Sequence, residues 1–505
     1  SQIDYRHDDL RQAYDTTLDY SFARGTGNFD LGTTKLTDSH GTMVAGVIAA
    51  RIDNDFGVAG IASGAKLVGL AVDYGSSAIV AQVVDALRHA ANVDVVNNSW
   101  RFSEAFADDF NVRPEFEAAL THAVSTGRGG LGTSIVFAAG NTGSGGSANY
   151  NNFHNSPFTI AVGAVDPTGN PAGFTSLGAN VLISAAGTQI YSTDFNNRFD
   201  TEAGTSFAAP AVTATIALML EANPDLGYRD IQQILAYSAQ REGLSDNRLY
   251  GDGWQINGAD NHNGGGLHHS DAFGFGFLNV HNAVRLAETW TKQQTLANRD
   301  TITTTRPVNE TLAAGTNDRI VVELAVNTTL LVEHVQVSLD LPWRYSGDLD
   351  VFLTSPEGTK VRLVYDLPGT DNVGNLRNFE FSSVASMGEM AKGIWTIEII
   401  NHKHDGTNNK GEPLSQVLRD VSLTVHGSDA ALADDTYIYT DEFATIYSEA
   451  ELVSRRVLND RDGGRDTINA AAVTSDSVFD LTGATATIIA GIAIDIVGDG
   501  IENAI

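Results

Sequence analysis

Between residues 65 and 140 two kinds of apolar run alternate, and the alternation leaves few architectures open. Ala65–Val72, Val93–Ser99 and Ser134–Ala139 are near-continuous apolar segments of strand length, whereas Ala78–Leu87 carries its apolar residues at helical spacing. A strand that is apolar on both faces must be covered on both faces, as in a parallel sheet flanked by helices. The reading is an α/β fold built on a parallel sheet. In open sheets of that kind, reactive groups gather in the loops at the carboxyl ends of the strands.

Two reactive side chains stand at such positions. Asp38-Ser-His-Gly-Thr-Met-Val-Ala-Gly46 puts His40 at the mouth of a helix-like run, and Gly204-Thr-Ser-Phe-Ala-Ala-Pro210 does the same for Ser206. A serine hydroxyl is a poor nucleophile until a neighbouring base takes its proton, and His40 is such a base. Between them, Ile135-Val-Phe-Ala-Ala-Gly-Asn141 is an apolar strand ending in an amide that can donate to the oxyanion of acyl transfer. Each residue has an ordinary alternative: His40 as a core or capping histidine, Asn141 as a turn residue, Thr205 or Ser206 as a helix N-cap. Base, oxyanion donor and nucleophile in this order and in these contexts favour the chemistry. A lipase or esterase is disfavoured, because no Gly-x-Ser-x-Gly elbow surrounds Ser206.

His40-Gly-Thr42, Ala138-Ala-Gly-Asn141 and Gly204–Pro210 together resemble the motifs of subtilisin-family (subtilase) serine peptidases, over about Ile3 to Trp290. The resemblance implies a subtilisin-like α/β domain over residues 1–292, acting on protein or peptide substrates. Ser206 is then the nucleophile and His40 its base, and Asn141 and the Ser206 N–H stabilise the oxyanion. A histidine base also needs a carboxylate to orient it. In the family that Asp ends a strand just before a segment resembling Ile3-Asp-Tyr-Arg-His-Asp-Asp-Leu10, and the register places it immediately before Ser1. The expectation is a fragment cut after the triad Asp, with impaired activity; Asp4, Asp8 and Asp9 are out of register for the role.

Gly264-Gly-Gly266 and Phe273-Gly-Phe-Gly-Phe277, leading into Val280–Ala287, resemble the closing segment of the kexin-like branch. Asn98-Ser-Trp-Arg101 resembles that branch's substrate-pairing edge strand, which makes Ser99, Trp100 and Arg101 substrate-binding candidates. Asn151 takes the place of an acidic residue in the pocket for the side chain before the scissile bond. Arg101 stands where Gly is usual and Asn151 where Asp is, so the expectation is a broad endopeptidase rather than strict dibasic cleavage. Glu104, Asp108 and Asp109 form a negative rim or a solvated loop.

The resemblance also implies calcium. Asp9 and the loop Asp53-Asn-Asp-Phe-Gly-Val-Ala-Gly60 match a family calcium site, with Asp9, Asp53, Asn54, Asp55, Val58 and Gly60 as the ligand set. Carboxylate, amide and backbone carbonyl oxygens suit a hard cation, although the same composition makes metal-free turns. Asp252 to Asp260, with Asn261 and Asn263, is a second candidate; His268-His269 has no third ligand at zinc spacing.

Beyond Lys292 the pattern changes. Residues 293–308 are polar and Thr-rich and read as a linker. From Arg319, period-two runs such as Val335–Leu339, Asp350–Leu353 and Trp395–Ile399, set between Gly, Pro and Asp turns, predict an all-β sandwich. Tyr345–Thr359, Gly393-Ile-Trp395 and Val421–Gly427 resemble a P (Hom-B) domain over 309–427, which implies a jelly-roll packed on the peptidase unit; a carbohydrate-binding sandwich is the second reading. In the tail, 428–505, Arg461–Asn469 and Asp495–Asn503 resemble the lead-in to RTX calcium β-rolls without a complete nonapeptide repeat. The other reading is a short β-rich tail.

With 62 acidic against 31 basic residues and a net charge of -31, the 505-residue chain is a poor partner for nucleic acid and suits a secreted protein that takes up cations. It has no cysteine, and its longest late apolar run, Thr485 to Val497, is interrupted by Asp495 and too short to span a bilayer. The expectation is a secreted, monomeric, calcium-dependent serine endopeptidase without membrane insertion. The alternative is a decayed subtilase-like shell acting as a binding module.

Overall fold

A computed structural model describes residues 3–27, 39–246, 253–313, 318–343, 348–365, 376–402, 415–429, 434–460, 464–482, 484–498 and 501–505. Asp252 and residues 461–463 and 499–500 of the expected tail motifs lie outside them.

Four parallel strands run side by side in the order β2 (Val95–Asn98), β3 (Ser134–Ala138), β4 (Thr159–Val165) and β5 (Val181–Ala186). Ser134–Ala138 and Thr159–Val165 are buried at every residue, as the continuous apolar runs predict. On one face Phe137 packs with Val83, Val84 and Leu87 of α2 (Ile79–His89) and Phe116, Leu120 and Val124 of α3 (Pro114–Thr126). On the other face Val136, Ile160 and Ile183 meet α4 (Thr205–Ala222), α5 (Tyr228–Ser238) and α6 (Val280–Thr289). Helix α4 is long and apolar enough to cross a membrane by length and composition, but it is a mostly buried core helix.

The expected strand Ala65–Val72 is reduced to β1 (Leu70–Ala71), which pairs in parallel with Tyr20–Ser21 in a separate small sheet. Among the described residues no strand pairing joins β1 to β2. Between them is a cavity of about 830 Å³, flanked by Leu67, Leu70 and Val72 on one side and Val93, Val95 and Asn97 on the other. His40, Val44 and Ile48 of α1 (His40–Ala49) also line it.

Residues 293–308 are not a linker. Leu296–Asn298 is a 3-10 turn, and β6 (Asp300–Leu312) is a strand paired with β13 (Gln416–Asp429) on both sides of an irregularity between Pro307 and Glu310. Its threonines satisfy one another across the pair, Thr303 with Thr424 and Thr305 with Ser422. A Thr-rich segment is thus solvated strand edge here, in keeping with the β preference of β-branched residues. Two four-stranded antiparallel sheets follow. One runs β6-β13-β8-β11, with β8 at Leu330–Leu339 and β11 at Glu380–Ser383. The other runs β7-β12-β9-β10, with β7 at Asp318–Val326, β9 at Leu349–Thr354, β10 at Lys360–Val364 and β12 at Gly393–Asn401. Alternating residues of both, including Val322, Leu324, Val335, Val337, Trp395 and Leu423, make one shared core.

The tail is folded as well. Tyr437, Tyr439, Phe443, Leu458, Ile468 and Ile494 form a further core. Thr436–Thr440, Thr467–Ala472 and Asn503–Ala504 pair in parallel, as do Val457–Asp460 and Ile492–Gly498. It is bolted to the α/β unit by Arg455, which donates to the carbonyls of His262, Asn263 and Gly266. Thr440 and Asn263 exchange two hydrogen bonds.

The sandwich meets the α/β unit through a buried ion pair. Arg229, 1% exposed, opens α5 and donates Nε to Glu333 Oε2 at 2.7 Å and Nη2 to Glu333 Oε1 at 2.5 Å. Nearby, Asn152 and Asn155 donate to the carbonyl of Glu380, and Asn149 to that of Ser382.

Two outcomes test this junction. Glu333→Ala leaves Arg229 buried without its counter-charge and is expected to destabilise by about 3–5 kcal/mol, read as a lower denaturant midpoint. The Glu380 carboxyl is pushed up to about 7, chiefly by burial and then by Glu117 and Asp109. A carboxyl that binds its proton more tightly when folded loses stability as pH rises through that value. Wild type should therefore lose Tm relative to Glu380→Gln between pH 5 and 8; parallel curves would refute the assignment.

Candidate active site

Ser206 sits in the first turn of α4, and the sequence around it explains its placement. Pro210 lies inside the helix and has no N–H, so the Ser206 carbonyl lacks its helical donor. Ser99 supplies one, its hydroxyl donating to Ser206 O at 2.8 Å. Ser99 Oγ in turn accepts from Asn97 Nδ2 at 2.9 Å, and Asn97 Oδ1 accepts from Thr213 Oγ1, one helical face further along α4. Ser99, expected to bind substrate, uses its hydroxyl to tie the Ser206 turn to β2.

Asn141 extends from β3 to the same turn. Its Oδ1 accepts from Thr205 N at 3.0 Å and Thr205 Oγ1 at 2.8 Å, which fixes the amide so that Nδ2 faces the other way. Gly204 holds φ 154°, ψ 156°, a conformation reserved for glycine. A Cβ there would lie 3.3 Å from Asn141 Nδ2 and 3.6 Å from Ser206 N. Two N–H donors therefore flank the space beside Gly204, where an oxyanion can be held. Thr205 was read only as a capping candidate; its position directly before the serine was the one sequence signal for the role it has.

His40 opens α1, and its ring meets the edge of Phe207 with centroids 5.6 Å apart. Phe207 packs with Met43 and Val44. Gly46 lets α1 approach closely, since a Cβ on it would collide with the Thr193 and Ser192 hydroxyls. His40, Asn141 and Ser206, far apart in sequence, are thus brought to one end of the sheet.

The remaining substrate candidates divide. Trp100 is part of an aromatic cluster, edge-on to Phe137 and Phe153 with its Nε1 bonded to Asn98 Oδ1. Asn151 is buried, and its Oδ1 has no hydrogen-bond partner among the described residues. Asp108, expected on an acidic rim, is instead 1% exposed. Its Oδ2 accepts from Phe153 N, and burial pushes the carboxyl up to about 6. Arg101 is half-buried against Gly140.

Residues 1–276 match the model of the subtilase family, and residues 332–412 that of the proprotein convertase P-domain. The chain belongs to the subtilase family. Among curated relatives, the dibasic-processing endoprotease of Schizosaccharomyces pombe is 31% identical over 80% of this chain and 58% of its own length. Kexin of Saccharomyces cerevisiae is 29% identical over 79% and 48%, and proprotein convertase subtilisin/kexin type 6 of Rattus norvegicus 29% over 84% and 45%. The chain spans about half the length of these relatives. The fold is similar to that of the serine protease of Aeromonas sobria in complex with its chaperone, with a TM-score of 0.72 at 22% identity, over 85% of this chain and 87% of that one.

In this subtilase the expected calcium set comes together only in part. Asp9 is buried, with Oδ1 accepting from Asn54 Nδ2 at 2.7 Å and Oδ2 from Val58 N at 2.9 Å. Asp53 and Asp55 are exposed and adopt φ of 59° and 55°; their carboxylates do not join that of Asp9 in a three-carboxylate group. Gly60 is a packing residue, since a Cβ on it would meet Ala50 N at 2.3 Å. The carboxylate group that does converge was not foreseen. Asp435, Asp460 and Asp466 of the tail bring oxygens within 4.8 Å of one another, and Asp466 Oδ2 is buried with no hydrogen-bond partner among the described residues. His268 and His269 alternate along a two-residue strand and join no such group among the described residues.

The Ser99 link predicts that Ser99→Ala leaves the Ser206 carbonyl unsatisfied, at about 1–3 kcal/mol. The expected readout is a roughly tenfold or greater fall in kcat with KM little changed; an unchanged kcat would refute the positioning role.

Proposed function

We propose that this chain is the catalytic and P-domain portion of a secreted, calcium-binding serine endopeptidase of the kexin-like branch. Ser206 Oγ attacks the peptide carbonyl carbon as its proton passes to His40. The oxyanion accepts from Asn141 Nδ2–H and the Ser206 N–H. The C–N bond then breaks, His40 returns the proton to the leaving amine, and water hydrolyses the acyl-enzyme by the same route. The observation that carries the reading is the pair of nitrogen donors, Asn141 Nδ2 and Ser206 N, which lie 3.3 and 3.6 Å from the place a Cβ on Gly204 would take.

The reading includes a strand supplied by sequence preceding Ser1, ending in the carboxylate that orients His40. Its support is the cavity between β1 and β2, which His40 helps to line and where one more strand would join both sheets. The sandwich is read as a jelly-roll that steadies the catalytic unit over residues 309–427, with Asp300–Asn309 added to it, and residues 428–505 as the RTX-type lead-in. Calcium would be held by Asp9 and Asn54, and by Asp435, Asp460 and Asp466, whose oxygen donors suit a hard divalent cation. Its contribution there is structural: it neutralises gathered carboxylates and takes no part in the acyl transfer. Secretion and a monomeric state are read from the acidic, cysteine-free composition and the family.

Fluorophosphonate labelling with peptide mapping tests the whole. Ser206 should label in a chain extended upstream through the orienting carboxylate and far more slowly in residues 1–505 alone. In the extended chain Asn141→Ala should lower kcat by about 10²–10³-fold. Labelling in neither chain would sink the peptidase reading and favour a binding module.

A further inference from the structure

The position of Arg101 bears on what this site cleaves. If the substrate carbonyl oxygen lies between Asn141 Nδ2 and Ser206 N, the side chain on the acyl side of that carbonyl extends beside Gly140. Gly140, at φ 111°, directly precedes Asn141. That space is occupied by this chain's own cation. A Cβ on Gly140 would lie 3.1 Å from both Cδ and Nε of Arg101. Arg101 follows Ser99 and Trp100 at the end of β2, so its backbone is fixed by the same bonds that hold the catalytic turn.

The electrostatics of the groove agree. Arg101 is half-buried, and burial lowers its pKa while the charge of Asp108 opposes that shift. Asp108 Oδ1 and Asn151 Oδ1 are buried acceptors with no hydrogen-bond partner among the described residues. His154, whose ring is also buried, is held neutral, with its pKa lowered to about 4 by burial first and by Arg101 among the lesser causes. A second guanidinium or ammonium entering this groove would face the like charge of Arg101. A carboxylate entering it would gain a charge-assisted hydrogen bond to a partly desolvated guanidinium.

We infer that Arg101 is the specificity-determining residue of the acyl-side pocket, and that it turns the pocket from basic side chains towards acidic ones. The inference rests on the peptidase reading above and names its substrate class: peptides with Glu or Asp immediately before the scissile bond. Selection works here through repulsion as much as attraction, because a like charge is placed where the disfavoured side chain must go.

The test uses the chain extended upstream through the orienting carboxylate, and a matched series of fluorogenic peptides carrying Glu, Asp, Ala, Lys or Arg at that position. Ser206 labelling by fluorophosphonate serves as the control for an assembled site. Wild type should show a kcat/KM for Glu at least tenfold above that for Arg. Arg101→Gly should collapse the ratio, Arg101→Glu should invert it, and Arg101→Lys should keep its direction, all with labelling retained. A wild-type enzyme that labels but prefers Arg or Lys would overturn the inference alone. So would an Arg101→Gly variant that labels with the wild-type profile. Absence of labelling in wild type would overturn the peptidase reading and this inference with it.

Discussion

The guanidinium of Arg229 is spent entirely at one junction. Nε and Nη2 bind Glu333 as a fork, Nη1 donates to Thr295 O and Asn298 Oδ1, and Nη2 also donates to Gly427 O and Ser428 Oγ. A buried guanidinium is tolerable only when its donors are all met, and here the acceptors come from the segment that leads from α6 to the sandwich, from β8 and from the end of β13. Asp230, next in sequence, accepts from Gly227 N, Gln294 N and Trp290 Nε1, so it folds the connecting segment back on α5. One pair of neighbouring charges thereby sets where the sandwich begins and how it sits.

The sandwich in turn holds the wall of the substrate groove. The backbone of β11 accepts from the amides of Asn149, Asn152 and Asn155, and Phe106 inserts between Tyr150 and Phe379 with ring centroids 5.1 and 4.6 Å away. The segment carrying Asn151 therefore derives its rigidity from a different unit from the one that carries Ser206. Loss of the sandwich would loosen the specificity pocket before it disturbed the nucleophile, which is fastened by Asn97, Ser99 and Thr213 within the peptidase sheet.

Much of this was legible from sequence because it is written in local chemistry. Continuous apolar strands, period-two strands and the contexts of His40, Asn141 and Ser206 report directly on burial and on helix mouths. What was misread depended on partners distant in sequence. The Thr-rich stretch before Asn309 reads as solvated linker until β13 is seen beside it. The sequence does not show the bond from Ser99 to the Ser206 carbonyl, because Pro210, in another motif, removes the N–H that its hydroxyl replaces. The bonds that Asp9 accepts from Asn54 and from the Val58 N–H likewise join positions far apart in the chain. The convergence of Asp435, Asp460 and Asp466 needs parallel strands separated by long connections, which no short-range pattern records.

The cavity between β1 and β2 makes the physical case for a further strand. The space, about 830 Å³, is open to solvent along part of its wall, so its cost is that of wetted apolar surface rather than of a sealed void. Water in it wets Val44, Ile48, Leu67 and Val95, which lie in the middle of an α/β layer. A strand inserted between β1 and β2 would bury those side chains and would continue the parallel sheet from Tyr20–Ser21 to β5. Its carboxyl end would emerge in the same direction as β2 and β3, at the edge where His40, Ser99 and Asn141 stand. In the proposed reading the group at that end meets the His40 imidazole, and a carboxylate is the one that would keep it in the tautomer a serine nucleophile requires.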